Sequence, residues 1–236
     1  MIPAIETFPT AADWAQACAT RLTDGLAASV KARGRAVFAG AGGSTPKPIY
    51  RVMSEAVLDW SKIAVTLIDE RYVPETSPDS NARLLKRTLL KGPAAAARFV
   101  PLFHPSITVD RSALIAARAL GAEVGGIDVV LLGMGEDGHI CSMFPGSPTL
   151  ESLLSPHLHP TVLGVPAGRD GAAPSMERLS INLPYLVRAE RVILALTGDA
   201  KRTVFASEAA GDPVTRPIAA LIEAGVPLQV LWTETA

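Results

Sequence analysis

Apolar runs alternate with amphipathic segments along most of the chain, and several of the runs end in a stretch rich in glycine or charge. The clearest apolar run, Ile127-Asp128-Val129-Val130-Leu131-Leu132, is nearly unbroken and rich in β-branched side chains. Such a run is typical of a strand buried on both faces of a parallel sheet. The same kind of pattern predicts further strands at residues 35–39, 63–68, 98–102, 161–165, 178–182, 191–197 and 228–232.

Helices are predicted between most of these strands. After Thr10, which can cap a helix, apolar residues recur at helical spacing until Gly34 stops the pattern after Arg33. Similar spacing predicts helices at about 46–60, 81–90, 110–124, 199–209 and 218–223. This alternation predicts an α/β fold, a three-layer α/β/α arrangement around a mostly parallel sheet. Because no repeat or linker interrupts the pattern, we expect residues 1–236 to form a single domain.

The composition narrows the class of protein. The 236 residues are 48% hydrophobic and 19% charged, an ordinary balance for a globular protein. The net charge of −1 provides no basic field for nucleic acid or anionic lipid. No apolar run approaches the roughly 20 residues that span a bilayer, and the amino terminus lacks the basic segment of a signal peptide. We therefore expect a cytoplasmic protein with a small-molecule partner, and no nucleic-acid or membrane partner.

Loops that follow the predicted strands carry the candidate chemistry, because ligands of open α/β sheets bind beyond the carboxyl ends of the strands. The first loop, Gly40-Ala41-Gly42-Gly43-Ser44-Thr45-Pro46, opens a helix. Its backbone N–H groups and the helix dipole suit a phosphate or carboxylate. A plain tight turn is the alternative, because the spacing matches neither a P-loop nor a dinucleotide-binding motif.

Two further loops carry charge. Asp69-Glu70-Arg71-Tyr72-Val73-Pro74 follows a strand, and it is either a solvated loop or part of a site. Gly198-Asp199-Ala200-Lys201-Arg202 opens a helix, so Lys201 falls in a first turn, where a cation opposes the helix dipole. An anionic ligand at that terminus would explain the lysine, and a merely exposed lysine is the alternative.

The loop after the central strand carries glycines at 133, 135 and 138 together with Asp137 and His139. Glycine lets a ligand lie close to the main chain, so the loop predicts a pocket floor with a titratable pair. A glycine-rich turn with an incidental acid and imidazole is the alternative. Elsewhere, His157 and His159 stand two apart without a third ligand at usable spacing, and Cys18 and Cys141 form no framework. We therefore expect reduced thiols and no metal site.

Taken in order, these loops resemble the 6-phosphogluconolactonase family, within the superfamily that includes glucosamine-6-phosphate isomerases. The resemblance covers nearly the whole chain and rests on Ala41-Gly42-Gly43-Ser44-Thr45-Pro46, Asp69-Glu70-Arg71-Tyr72-Val73-Pro74, Ser80-Asn81-Ala82-Arg83, Gly133-Met134-Gly135-Glu136-Asp137-Gly138-His139, Arg178-Leu179-Ser180 and Thr197-Gly198-Asp199-Ala200-Lys201. It implies a modified Rossmann-like, sugar-phosphate isomerase-like fold. It also implies hydrolysis of 6-phosphoglucono-1,5-lactone to 6-phosphogluconate, the second step of the oxidative pentose phosphate pathway, without metal or cofactor.

Candidate roles follow from this resemblance. Ester hydrolysis needs a base that deprotonates water and positive charge or donors near the developing oxyanion. His139 is expected to be the general base, Asp137 to orient it or hold a sugar hydroxyl, and Arg71 to position the lactone or stabilise charge at its carbonyl. The expected phosphate-binding residues are Gly42, Gly43, Ser44, Thr45, Lys201 and Arg178.

An isomerase or deaminase of the same superfamily is the main alternative. The isomerase branch carries a glutamate five positions after the shared histidine, where this chain has Phe144, and a tyrosine where it has Arg71. Asp69, the counterpart of the isomerases' proton-abstracting acid, is present, so its presence does not exclude isomerisation. A non-catalytic sugar-phosphate sensor is disfavoured, because His139 is retained and no DNA-binding segment is evident.

Overall fold

The computed structural model describes residues 1–168 and 174–235, and these residues form ten strands and eight α-helices. The strands are β1 (Ile5–Phe8), β2 (Ala36–Gly40), β3 (Ile63–Leu67), β4 (Asp69–Arg71), β5 (Arg98–Phe99), β6 (Val129–Leu132), β7 (Val162–Val165), β8 (Arg178–Ile181), β9 (Arg191–Thr197) and β10 (Leu228–Thr233). The helices are α1 (Ala11–Arg33), α2 (Pro46–Ser54), α3 (Asn81–Thr88), α4 (Val109–Glu123), α5 (Leu150–Leu154), α6 (Leu183–Val187), α7 (Asp199–Ala209) and α8 (Pro217–Glu223).

Seven strands form one parallel sheet in the order β1-β10-β9-β6-β2-β3-β5. From the centre of the sheet outward, β2 is followed by β3 and β5 toward one edge, and β6 is followed by β9 and β10 toward the other. The order therefore reverses between β2 and β6, and a ligand crevice is expected beyond the carboxyl ends of these two strands. The predicted α/β fold with a mostly parallel sheet is confirmed. No helix in the described parts of the chain is long and apolar enough to cross a membrane.

A second sheet, β4-β8-β7, is antiparallel and holds the segment that follows β3. The segment from Asp69 to Arg71 was expected to be a loop, but it forms β4 and pairs with β8, so that Arg71 lies opposite Arg178. The side chains of Asp69 and Glu70 are buried, at 5% and 0% exposure. The solvated-loop alternative for these two residues is therefore wrong, because their charges are satisfied inside the protein.

Local signals set the ends of α1 as expected. The Thr10 hydroxyl accepts a hydrogen bond from the Asp13 amide at 3.0 Å, and Gly34, with φ of 74°, donates its amide to the Val30 carbonyl at 2.8 Å. These are a common N-terminal cap and a common C-terminal cap of a helix.

Two elements in the first part of the chain differ from the prediction. The helix predicted at 46–60 ends at Ser54, and the chain then turns so that Trp60 enters the core, with its indole N–H donating to the Ala56 carbonyl at 3.0 Å. Val57, which lies within the predicted helical range, is fully exposed. β1 was not predicted, and it lies outside the predicted terminal strand, β10, as the edge of the sheet. The expectation of one domain over 1–236 stays a prediction, and residues 169–173 and 236 of that range lie outside the described residues.

Candidate active site

One cavity at the carboxyl end of the parallel sheet collects nearly all the residues singled out from the sequence. It is lined by Gly42, Gly43, Ser44, Thr45, Arg71, His139, Arg178 and Lys201, together with Asp69, Asn81 and several other residues. Asp137 does not line the cavity but is hydrogen-bonded to His139. The four loops therefore meet at the point where the strand order reverses.

The glycine-rich loop between β2 and α2 is shaped by close packing. A Cβ atom on Gly42 would lie 1.9 Å from the Asn81 side-chain oxygen, so any larger residue there would force the Asn81 side chain to move. Gly43 has φ of 88°, which glycine adopts without strain. Within the described residues the Thr45 side chain makes no capping hydrogen bond to α2. Pro46 and Pro48 carry no N–H, and the Lys47 amide donates to the Ser44 carbonyl at 3.2 Å, so backbone donors for an anionic ligand must come from the loop that precedes the helix.

Glu70 fastens β4 to the start of α3. Its carboxylate accepts hydrogen bonds from the amides of Arg71 at 2.8 Å, Asn81 at 2.7 Å and Ala82 at 2.8 Å, and from the Ser80 hydroxyl at 3.0 Å. Burial raises the pKa of Glu70, and the donors act in the opposite direction. An acid at a helix N-terminus also interacts favourably with the helix dipole. Glu70 is thus a structural support for the cavity wall.

Asp69 is held by three donors in the wall of the cavity. Its Oδ2 atom accepts from the Ser142 hydroxyl at 2.7 Å and lies 3.4 Å from Arg178 Nη1. Its Oδ1 atom accepts from Asn81 Nδ2 at 3.3 Å. The carboxylate is therefore an anchor for neighbouring side chains, with most of its accepting capacity used.

The two arginines of the second sheet are poorly satisfied by the protein. Arg71 and Arg178 lie directly opposite each other, an arrangement that is unfavourable for like charges. Burial lowers the pKa of Arg178 and Arg71 lowers it further, while Asp69 raises it. The Nε atoms of both arginines are buried without a hydrogen-bond partner among the described residues. Unpaired buried donors are costly, so this wall is suited to an anionic or oxygen-rich ligand.

His139 and Asp137 form a close pair on a tight turn. The Gly135 amide donates to the His139 carbonyl at 2.9 Å, the Gly138 amide donates to the Gly135 carbonyl at 3.2 Å, and Gly138 has φ of 85°. His139 Nδ1 lies 2.5 Å from Asp137 Oδ1. Burial alone would raise the pKa of Asp137, but the hydrogen bond to His139 and the attraction of its charge keep the pKa below the ordinary value.

This pairing decides which nitrogen of the imidazole can act as a base. A hydrogen bond from Nδ1–H to a carboxylate leaves the lone pair on Nε2. His139 Nε2 makes no hydrogen bond within the described part of the chain, and the side chain is 25% exposed in the cavity wall. The geometry is that of a general base oriented by an acid.

Lys201 is the third residue of α7 and lies in its first turn, as expected. It lines the cavity, and among residues 1–168 and 174–235 it has no ion-pair partner. It therefore adds positive charge to the cavity that the glycine-rich loop also lines.

One residue of the cavity was not predicted from the sequence, and several cysteines and histidines have no role in its chemistry. Asn81 was assigned only to a helix start, although its neighbour Ser80 and its place after a charged strand end could have indicated a role in the site. Cys141 lines the cavity, but burial raises its pKa well above the ordinary value, so it stays a thiol. His157 and His159 are exposed. No group of three or more potential metal-binding side chains is found in the described residues.

Comparison with known proteins identifies the family. The family model described as glucosamine-6-phosphate isomerases/6-phosphogluconolactonase matches residues 9–232. The chain belongs to this family. Within it, the chain is 43% identical to the 6-phosphogluconolactonase of Rhizobium meliloti, over 92% of this chain and 93% of that protein. It is 39% identical to the 6-phosphogluconolactonase of Caulobacter vibrioides, over 98% and 97%.

A solved structure of the family has the same fold over the full length. The 6-phosphogluconolactonase from Shewanella baltica OS155 superposes with a TM-score of 0.89 at 32% identity, covering 99% of each chain. The resemblance inferred from six short segments is therefore confirmed at the level of the family and the fold.

Proposed function

We propose that the protein hydrolyses 6-phosphoglucono-1,5-lactone to 6-phosphogluconate, the second step of the oxidative pentose phosphate pathway. The observation that carries this proposal is the Asp137–His139 pair at a cavity that also holds the glycine-rich loop and Lys201. Its relatives' shared name, 6-phosphogluconolactonase, supports the same reaction. The substrate is a small phosphorylated lactone. A cytoplasmic location and the absence of a nucleic-acid partner remain predictions.

The reaction follows from the orientation of the imidazole. His139 Nε2 takes a proton from water as the water oxygen attacks the lactone carbonyl, and the carbonyl oxygen becomes an oxyanion. Asp137 stabilises the imidazolium that forms, as an acid hydrogen-bonded to the far nitrogen does in other acyl-transfer sites. When the tetrahedral intermediate collapses, the ring C–O bond breaks and the leaving oxygen receives the proton from Nε2. The product is the open-chain carboxylic acid, which ionises.

Positive charge on two sides of the cavity serves the two anionic parts of the reaction. The phosphate binds at the glycine-rich loop, from Gly42 to Thr45, with Lys201 from the lining of the same cavity as a counter-charge. Arg178 and Arg71 have buried donors without partners, and they supply charge to the phosphate or to the oxyanion. Donors already in place cost no reorganisation when charge develops.

Two observations favour hydrolysis over the isomerase alternative. The Asp69 carboxylate is tied to Ser142, Arg178 and Asn81, so little of it is available to abstract a proton from a sugar carbon. The residue five positions after His139 is Phe144, which cannot exchange a proton. Together they leave His139 as the group at the cavity that is best placed to act as a base.

A paired assay tests this proposal. Freshly generated 6-phosphogluconolactone, corrected for its spontaneous hydrolysis, is compared with glucosamine 6-phosphate. We expect fast hydrolysis of the first, no deamination of the second, and a loss of about 10²–10⁴-fold in kcat for His139→Ala, as for a general base. His157→Ala, which removes an exposed histidine elsewhere, is the matched control and should keep full activity. Deamination without lactone hydrolysis would establish the alternative.

A further inference from the structure

Phe144 contacts two of the residues assigned to the site. Its ring stacks on the His139 imidazole with centroids 4.2 Å apart and planes 28° apart. The guanidinium carbon of Arg178 lies 5.3 Å from the centroid of the same ring. Phe144 itself is 7% exposed and does not line the cavity. One buried aromatic ring therefore touches both the base and an arginine of the second sheet.

Two consecutive turns bring Phe144 back to His139. In the first, the Met143 amide donates to the Ile140 carbonyl at 2.9 Å, and Cys141 has φ of 52°. A non-glycine residue keeps such a conformation only when its surroundings enforce it. In the second, the Ser147 amide donates to the Phe144 carbonyl at 3.0 Å across Pro145 and Gly146.

The second turn is encoded locally, and it fixes where the ring lies. Proline in the second position and glycine with φ of 78° in the third are the signature of a type II turn. Proline also restricts the residue before it to extended backbone. The backbone of Phe144 therefore has little freedom, and the turn presents its side chain on the side of the imidazole on which the ring stacks.

The hydrogen bond to Asp137 does not by itself hold the His139 ring. It anchors Nδ1, but the Asp137 side chain is 54% exposed, and the imidazole could still tilt about that single bond. A stacked aromatic ring opposes tilting, because the face of the Phe144 ring packs against the face of the imidazole. The direction of Nε2 depends on both contacts.

We propose that Phe144 is a positioning residue that sets the plane of the His139 imidazole, so that Nε2 faces the lactone carbonyl. This proposal rests on the proposed function, since it requires His139 to act as a base. It assigns a role to the apolar side chain at the position where the isomerase branch has a glutamate, since a glutamate has no aromatic ring to pack on the imidazole.

The first experiment compares Phe144→Leu, which removes the ring face, with Phe144→Tyr, which keeps it. Since small misplacements of catalytic groups cost up to about 100-fold, we expect Phe144→Leu to lower kcat by roughly 10–100-fold with KM within about threefold of the parent. Phe144→Tyr is expected to retain most of the parent kcat. Thermal unfolding of each variant shows whether it is folded, and Phe144→Met serves as the non-aromatic variant if Phe144→Leu is not.

The second experiment places Phe144→Leu in a His139→Ala background. If Phe144 acts through the imidazole, its substitution should cause no further loss of kcat there, since effects of residues that act as a unit are not additive. An equal loss in both backgrounds would mean a general structural role and would overturn the proposal. So would a folded Phe144→Leu variant with the parent kcat.

The two proposals fail differently. If His139→Ala lowers activity but Phe144→Leu does not, only the positioning role is refuted. If His139→Ala retains the parent rate, the base assigned in the proposed function is wrong, and the positioning role of Phe144 is refuted as well.

Discussion

Lys201 offers a prediction in which binding and stability change in opposite directions. In Lys201→Ala, the substrate phosphate loses a charged hydrogen-bond donor. Such a bond contributes about 1.5–3 kcal/mol, which is roughly a 10- to 150-fold loss of affinity at about 1.4 kcal/mol per factor of ten. Since phosphate binding precedes and accompanies the reaction, we expect the loss chiefly in KM for the lactone and in Kd for 6-phosphogluconate.

The same substitution should stabilise the unliganded protein. Lys201 lies in the first turn of α7, where a cation opposes the helix dipole, and it has no ion-pair partner among the described residues. Removing a charge placed against the dipole is expected to raise the free energy of unfolding by about 0.3–1 kcal/mol. Alanine also favours the helix.

The assay combines initial rates on fresh lactone, calorimetric titration with 6-phosphogluconate and denaturant unfolding without ligand. Arg202→Ala is the matched control, because Arg202 is the next residue in the same turn but its guanidinium lies over the Trp232 ring, 4.8 Å from the centroid. The control should leave KM nearly unchanged. Unaltered KM and Kd in Lys201→Ala would refute the assignment and leave Lys201 as a surface lysine. An equal loss of affinity in Arg202→Ala would mean that the general positive charge of this turn attracts the phosphate, and not a specific contact with Lys201.

Three other predictions test the site from different directions. Gly42→Ala should destabilise the protein by about 1–3 kcal/mol in denaturant unfolding, because the new methyl group meets the Asn81 amide, and the cost should shrink in an Asn81→Ala background. Asp137 has a lowered pKa when folded, so its ionised form contributes stability above its unfolded pKa of about 3.9, and this contribution is lost as the pH falls through the lower folded value. Unfolding free energy should thus decline more steeply in acid for the parent than for Asp137→Asn, and identical pH profiles would contradict this. Activity should survive exhaustive dialysis against EDTA, and a loss that one specific metal ion restores would overturn the proposed mechanism.

Sequence patterns predicted the features that depend on neighbouring residues. The ends of α1 follow from Thr10 and Gly34, and the buried strand β9 follows from an apolar run. The loops were placed correctly because parallel strands deliver their carboxyl ends to one side of a sheet. These inferences need only local chemistry and a general rule of architecture.

Features that depend on distant partners were missed. The sequence of β4 has the pattern of a charged loop, and the strand forms only because Arg71 pairs with Arg178 of β8, far away in the chain. The four donors that satisfy Glu70 come from β4 itself and the start of α3. β1 has only four residues, and the middle two are exposed, so no apolar run marks it. The stack of Phe144 on His139 depends on two turns whose combined geometry no spacing rule describes.

The short strands at the two edges of the parallel sheet have a consequence for self-association. β1 has four residues and β5 only two, so each margin offers few unpaired backbone groups to another chain. Inside β1 lies β10, with six residues, of which the last four are buried. If β1 detached, its departure would uncover the backbone of that apolar strand, a ready template for intermolecular pairing. The four residues that the sequence pattern overlooked thus cover the backbone edge of β10.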